Sequence, residues 1–258
     1  MPKIEAKKTL GQNFLKDNQM AQLMVKSLDL NGTDTIIEIG GGTGALTRLV
    51  VEKCNDYKHF RVYEIDQDLK PGLEKILKSS TNPNTINELY FENFLDADLG
   101  LSVPYKILGS LPYYITSPII HKILRQTHRP EICIFLVQKE VGEKLLSEVP
   151  NATYWSHTTL GYKVEKVAIV KAEMFNPVPK VDSMIVKFTR LPKAEEELMK
   201  IGFTKWEKFL HHVYKNPRKM INKVFDKEFL STLGIDSNLR PQNLDIEQLM
   251  RIYKAKNA

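Results

Sequence analysis

The chain carries only two cysteines, Cys54 and Cys133, in 258 residues. So few cannot build a disulfide framework, and they read as reduced packing residues, one near a predicted helix end and one in an apolar strand. No Cys/His cluster has metal-ligand spacing, so no metal is expected. No apolar run approaches the roughly 20 residues of a membrane span. Met1-Pro2-Lys3-Ile4-Glu5 lacks the apolar core of a signal peptide, and a cytoplasmic location is the expectation. Internal repeats and low-complexity tracts are missing as well. Acidic side chains are in the minority, 31 against 37 Lys and Arg, for a formal net charge of +6. That balance points to an anionic partner.

What is present is ordinary globular composition, 42% hydrophobic and 26% charged, long enough for one large domain and a small one. The chain is organised around Thr35-Ile36-Ile37-Glu38-Ile39-Gly40-Gly41-Gly42-Thr43-Gly44-Ala45-Leu46-Thr47. Its β-branched start reads as a buried strand, its glycines as a tight turn, and its continuation as a helix. Strand, glycine turn and helix read as the first unit of a βαβ fold that binds a nucleotide-like cofactor at a helix N-terminus, a plain turn with no ligand being the other reading of the glycines alone. No Lys-Ser/Thr pair follows the glycines, which argues against a phosphate-binding P-loop. Gly40, Gly42 and Ala45 also fit a dinucleotide fingerprint. Glu38 separates the two ligand classes. Beside a pyrophosphate its charge would be repulsive by about 4 kcal/mol at ~4 Å and an effective dielectric of ~20. Beside the sulfonium and ammonium groups of S-adenosylmethionine it would help.

Further along, Lys7-Lys8-Thr9-Leu10-Gly11-Gln12-Asn13-Phe14-Leu15 reads either as a segment whose amides face a ligand or as a helix-capping loop, with helix beginning near Asp17. The second strand, 59–63, ends at Glu64-Ile65-Asp66. Glu64 stands where such a unit places the carboxylate for ribose hydroxyls, a solvated strand-end acid being the other reading. A third strand at 89–91 leads to Asn93 and Phe94, which could grip and cover an adenine. The fourth strand, 105–109, runs into Ser110-Leu111-Pro112-Tyr113-Tyr114, where proline fixes the path and leaves carbonyls pointing outward. The two tyrosines are either core or stacking platforms. A helix is expected over 118–124, a fifth strand over 132–137, a helix over 139–146, and strands over 163–170 and 184–188. Phe175 opens the stiff, proline-rich stretch Phe175-Asn176-Pro177-Val178-Pro179-Lys180-Val181-Asp182-Ser183. It is either a buried staple or an aromatic presented to a base. A linker is read at Leu191-Pro192-Lys193. Beyond it, Lys205, Lys208, Lys215, Arg218, Lys219, Lys223 and Lys227 make a basic helical region suited to phosphate contact or simply solvated.

Together these stretches resemble the ribosomal RNA adenine dimethyltransferase family, most closely its bacterial small-subunit branch, over residues 7 to about 253. Lys-Lys-x-Leu-Gly-Gln-Asn-Phe-Leu, Glu-Ile-Gly-Gly-Gly-Thr-Gly-Ala-Leu-Thr, Leu-Pro-Tyr-Tyr-Ile-Thr and Phe-x-Pro-x-Pro-Lys-Val-Asp-Ser occur in the family's order. The resemblance implies an α/β fold: a Rossmann-like class I methyltransferase sheet, mostly parallel with the last strand antiparallel. It implies a methyltransferase domain over 1–190 and a small all-α C-terminal domain over 191–258. It implies S-adenosylmethionine as cofactor, with contacts from Gln12, Asn13, Leu15, Glu38, Gly40, Gly42, Glu64, Ile65, Asn93, Phe94 and Ser110. The catalytic set it implies is Ser110, Leu111, Pro112, Tyr113 and Phe175, the two aromatics sandwiching the target base. The implied substrate is a pair of adjacent adenines near the 3′ end of small-subunit RNA, each methylated twice at N6 in the immature 30S subunit. A monomer is expected.

Two positions depart from the family. Ser110 replaces the asparagine of Asn-Leu-Pro-Tyr, and Asn93 replaces an aspartate that bonds the cofactor's adenine. An active dimethyltransferase with a modified acceptor set is therefore weighed against an RNA-binding ribosome assembly factor that methylates poorly or not at all. Methylation of large-subunit RNA is a third reading, against which the C-terminal domain argues.

Overall fold

The computed structural model describes residues 5–54 and 56–257; residues 1–4, 55 and 258 and the side chains of Lys53 and Cys54 lie outside what is described. The chain forms two compact units, Met1–Gly142 with Glu165–Arg190, and Glu143–Val164 with Leu191–Ala258. The segment 143–164, placed by the sequence reading with the larger domain, groups with the helical unit.

The first unit begins with a short strand β1 (Phe14–Leu15) and helix α1 (Asn18–Ser27), whose N-terminus Asp17 caps by accepting from Met20 N–H. Then come β2 (Thr35–Ile39), α2 (Ala45–Leu49), β3 (His59–Tyr63), α3 (Lys70–Leu77), β4 (Ile86–Tyr90), β5 (Tyr105–Ser110), α4 (Thr116–Leu124), β6 (Ile132–Gln138) and α5 (Lys139–Leu145). The short helix α6 (Tyr154–Thr158) belongs to the second unit. The strands β7 (Tyr162–Val170), β8 (Phe175–Asn176) and β9 (Ser183–Arg190) follow.

Seven strands make one sheet in the order β4-β3-β2-β5-β6-β9-β7. The pairings from β4 to β6 are parallel and β9 runs antiparallel to β6. Every residue of β2 is buried, as expected of a central parallel strand covered on both faces. Because β2 pairs β3 on one side and β5 on the other, a crevice opens at their carboxyl ends, the switch point where open α/β sheets hold ligands. A second, two-stranded sheet pairs β1 with β8, Phe14 opposite Asn176 and Leu15 opposite Phe175. The alternating-hydrophobicity signal could not announce it, since two residues per strand carry no period.

The second unit contains α7 (Pro192–Ile201), α8 (Phe203–Val213), α9 (Lys227–Thr232) and α10 (Ile246–Lys256). The expected linker at Leu191-Pro192-Lys193 is instead a helix start. Proline at the first helical position loses no hydrogen bond there and has its φ preset. The core of this unit is aromatic: Trp206 is fully buried, lies 5.3 Å from the Phe209 ring at a tilt of 33°, and donates its indole N–H to the His157 carbonyl at 3.1 Å. No helix among the described residues is long and apolar enough to cross a membrane.

Candidate active site

Parallel register sets the site. Ile39 lies opposite both Tyr63 and Gly109, so the next residues, Gly40, Glu64 and Ser110, arrive side by side at one edge of the sheet. Gly109 allows that approach, because a Cβ there would stand 2.9 Å from the Ile39 carbonyl oxygen. Gly40 has φ +74°, a left-handed conformation that side-chain-bearing residues rarely adopt. Its amide and that of Gly41 donate to the Tyr63 carbonyl at 2.8 and 3.2 Å.

A cleft of about 250 Å³ opens above this edge. All fifteen residues singled out as cofactor-binding or catalytic line it, from Gln12, Asn13 and Leu15 through Glu38, Gly40, Gly42, Glu64 and Ile65 to Asn93, Phe94, Ser110, Leu111, Pro112, Tyr113 and Phe175. Among the described residues no group of His, Cys, Asp or Glu is placed to hold a metal ion.

Their individual states differ from what the sequence suggests. Glu38 is not a free charge at a strand mouth. It is 1% exposed, accepts from Thr47 Oγ1 at 2.8 Å, and burial pushes its carboxyl up to about 8. A neutral acid occupies that place at pH 7 unless a cation is beside it. Glu64 is held by three backbone amides: Oε2 accepts from Gly42 N–H at 2.8 Å, and Oε1 from Ile65 and Asp66 N–H at 2.9 and 2.8 Å. With roughly four acceptor sites on a carboxylate, one is left, on Oε2.

Gln12 reaches the cleft, yet both ends of its amide are engaged. Nε2 donates to Asp66 Oδ2 and Oε1 accepts from Lys7 N–H, each at 2.7 Å. Asn93 folds onto its own turn, accepting from Leu95 N–H at 3.1 Å and donating to Asp96 at 2.9 Å. The Pro112 carbonyl, expected to point outward, accepts instead from Ile115 N–H and Thr116 Oγ1, both at 3.1 Å. Pro112 is the residue preceding a helical turn, and its carbonyl takes the first bonds of that turn. Phe175 is 2% exposed and packs in the core beside Leu15, so its ring is a cleft wall, not a projecting platform. Tyr113 is half-buried, while Tyr114 is 60% exposed. The Ser110 hydroxyl has no hydrogen-bond partner among the described residues.

Three contacts escaped the sequence reading. Asp66 is buried and accepts from both Lys7 Nζ and Gln12, tying the N-terminal segment to the cleft rim. Burial pushes its carboxyl up, but the hydrogen bonds from Lys7 and Gln12 outweigh this and hold it below the usual range. Lys122 on α4 donates to the carbonyls of Leu95 and Ala97 and lies 5.6 Å from the Phe94 ring centre, clamping the turn that carries Asn93 and Phe94. Ser183 meets the Tyr113 hydroxyl. Lysine, aspartate and serine are common on surfaces, and nothing in their spacing marks these three.

The fold and this cleft define the class first: a Rossmann-like methyltransferase. The fold has counterparts in solved structures. A dimethyladenosine transferase from Plasmodium falciparum superposes with a TM-score of 0.83 at 22% identity, over 95% of this chain and 97% of that one. The 23S rRNA methyltransferase ErmE superposes at 0.74 and 23%, over 95% and 100%. Sequence relatives are nearer. The ribosomal RNA small subunit methyltransferase A of Sulfurihydrogenibium sp. (strain YO3AOP1) is 33% identical over 98% of this chain and 97% of its own. That of Thermotoga neapolitana is 36% identical over 97% and 91%. The profile of the family described as ribosomal RNA adenine dimethylase matches residues 3–258, and the chain belongs to that family.

Proposed function

We propose that this protein transfers methyl groups from S-adenosylmethionine to N6 of two adjacent adenines in the 3′-terminal hairpin loop of small-subunit ribosomal RNA, twice each, during 30S maturation. It acts in the cytoplasm as a monomer. The observation that carries the reading is the convergence of Gly40, Glu64 and Ser110 in one cleft that Tyr113 and Phe175 also line. The site residues fit the donor: an open glycine edge, an anchored carboxylate with one acceptor site, and a buried acid that a cation would ionise.

When bound, S-adenosylmethionine supplies an electrophilic methyl on a sulfonium, which leaves as a thioether. The protein's part is positioning. Adenine's N6 lone pair is delocalised into the ring, so the nitrogen is a poor nucleophile. The Ser110 hydroxyl and the Leu111 carbonyl accept from the N6 hydrogens and favour a pyramidal nitrogen with a localised pair. As N6 takes the methyl it gives up a proton to water. The base leaves its stack at a cost of a few kcal/mol, offset by stacking on Tyr113 and by packing against the cleft wall that Phe175 forms. In the second unit, exposed Lys205, Lys208, Lys215, Arg218, Lys219, Lys223 and Lys227 are available to RNA phosphates.

The test is methyl transfer from labelled donor to small subunits that lack the modification. Incorporation of two methyls per target adenine supports the enzyme. Particle binding without incorporation would make the chain an assembly factor instead.

A further inference from the structure

Tyr113 and Phe175 both line the cleft but reach it by separate routes, one after β5 and the other at the start of β8. A single dipeptide holds both. Asp182 and Ser183 stand where β9 begins, Ser183 opposite Gln138 at the end of β6. The Ser183 side chain is fully buried, next to the apolar run Met184, Ile185 and Val186. A hydroxyl in such surroundings must find a partner, and its Oγ lies 2.7 Å from the Tyr113 hydroxyl, where either can donate. Next door, the Asp182 carboxylate accepts from Ala172 N–H at 3.1 Å and from Lys171 Nζ at 2.9 Å. Its backbone carbonyl accepts from Lys139 N–H at 3.0 Å, which fixes it to the first residue of α5. The Lys171-Ala172 turn runs on through Met174, whose carbonyl takes the Lys16 N–H at 2.8 Å, and delivers Phe175 opposite Leu15.

We propose that Asp182 and Ser183 are positioning residues for the adenine pocket. Ser183 sets the tilt of the Tyr113 ring through its hydroxyl, and Asp182 sets the turn that brings in Phe175. The inference rests on the dimethyltransferase reading and adds to it the element that spaces the two rings. A phenol tethered at its far end cannot swing about its side-chain torsions. Its ring plane is thereby held ready for a base, and less order remains to be imposed when the RNA arrives.

The experiment compares wild type with Ser183→Ala, Tyr113→Phe and the double variant, using a hairpin with 2-aminopurine at the target adenine for binding and the natural hairpin for methyl transfer. Each single variant is expected to lower kcat about tenfold, the scale of a modest misplacement, and to weaken the quenching of 2-aminopurine by ring stacking. Donor affinity should stay within twofold. Because both variants delete one bond, the double variant should be no slower than the worse single one. Multiplicative losses near a hundredfold, or a Ser183→Ala protein with wild-type kcat and quenching, would overturn the proposal. Should Ser183→Ala fail to fold, Tyr113→Phe removes the same bond from the half-buried side and still decides. Asp182→Ala, cutting a separate tether, should slow the Ser183→Ala protein further; no added effect removes Asp182 from the pair. A wild type that methylates and quenches while the variants match it sinks only this inference. A wild type that does neither sinks the parent reading and this one with it.

Discussion

Glu38 offers the sharpest physical test, because its charge state is set by what lies beside it. Its carboxyl, raised to about 8 by burial, is about nine-tenths protonated at pH 7 in the protein alone. A sulfonium or ammonium ~4–6 Å away contributes about 3–4 kcal/mol in favour of the anion at an effective dielectric of ~20. Binding S-adenosylmethionine at pH 7 should then expel nearly one proton, measurable by calorimetry in buffers of different ionisation heat. Affinity should rise nearly tenfold from pH 6 to 7 and about fivefold from 7 to 8, roughly fiftyfold in all. The donor's own ammonium titrates near the top of that range, so the comparison is with Glu38→Gln, which keeps the shape and loses the charge. The variant should show neither the slope nor the proton release. Stability gives an independent reading. A carboxyl that is raised on folding binds more protons native than unfolded between 4.5 and 8, so stability falls as pH rises through that window. The full charge costs about 5 kcal/mol, and Glu38→Gln should abolish that loss. A donor affinity that is flat from pH 6 to 8 in the wild type, or an equal slope in both proteins, would refute the reasoning.

Ser110→Asn restores the longer acceptor and should raise turnover on small subunits severalfold, up to about a hundredfold if the gap is ~1 Å; steady-state methyl incorporation checks it, and a lower rate counts against the acceptor role. Lys122→Met frees the turn carrying Asn93 and Phe94, and equilibrium titration should find the donor bound about tenfold more weakly with little change in melting temperature. His157 is buried beside the Tyr214 hydroxyl and burial brings it down to about 4. Between 4 and 6.5 the unfolded chain holds more protons than the native one, so stability is present above 6.5 and falls as pH drops through the window, by up to about 3 kcal/mol. Urea midpoints at pH 7.5 and 4.5 should show a drop that His157→Gln lessens.

The sequence made the parallel half of the sheet legible because β2 and β6 are rich in β-branched and apolar residues and β3 and β5 are short aromatic and aliphatic stretches closed by turn signals. The third parallel partner was read late, at 89–91 instead of Ile86–Tyr90, because Asn87 and Glu88 interrupt the apolar pattern at the sheet edge. The cleft's lining was also legible: Gly40, Glu64 and Ser110 follow or close strands at their carboxyl ends, while Gln12, Asn13 and Phe175, which lie before or at the start of short strands, were named through the family motifs. What was not legible is the state of those residues. Whether Glu38 is charged depends on its burial, and whether the Gln12 amide is free depends on Asp66, 54 residues away; the Pro112 carbonyl turns inward because a helical turn starts there, a local feature the proline signal did not reveal. What holds for Gln12 holds for Ser183, whose partner Tyr113 is 70 residues away.

The central claim is that adenine N6 receives the methyl groups in this cleft. The most direct measurement digests small-subunit RNA after incubation with protein and donor and identifies the modified nucleosides by mass spectrometry. The account predicts N6,N6-dimethyladenosine at two neighbouring positions of the 3′-terminal hairpin, and its loss in Tyr113→Ala. Methyl groups on another base, on adenine N1, or on no nucleoside at all would contradict it.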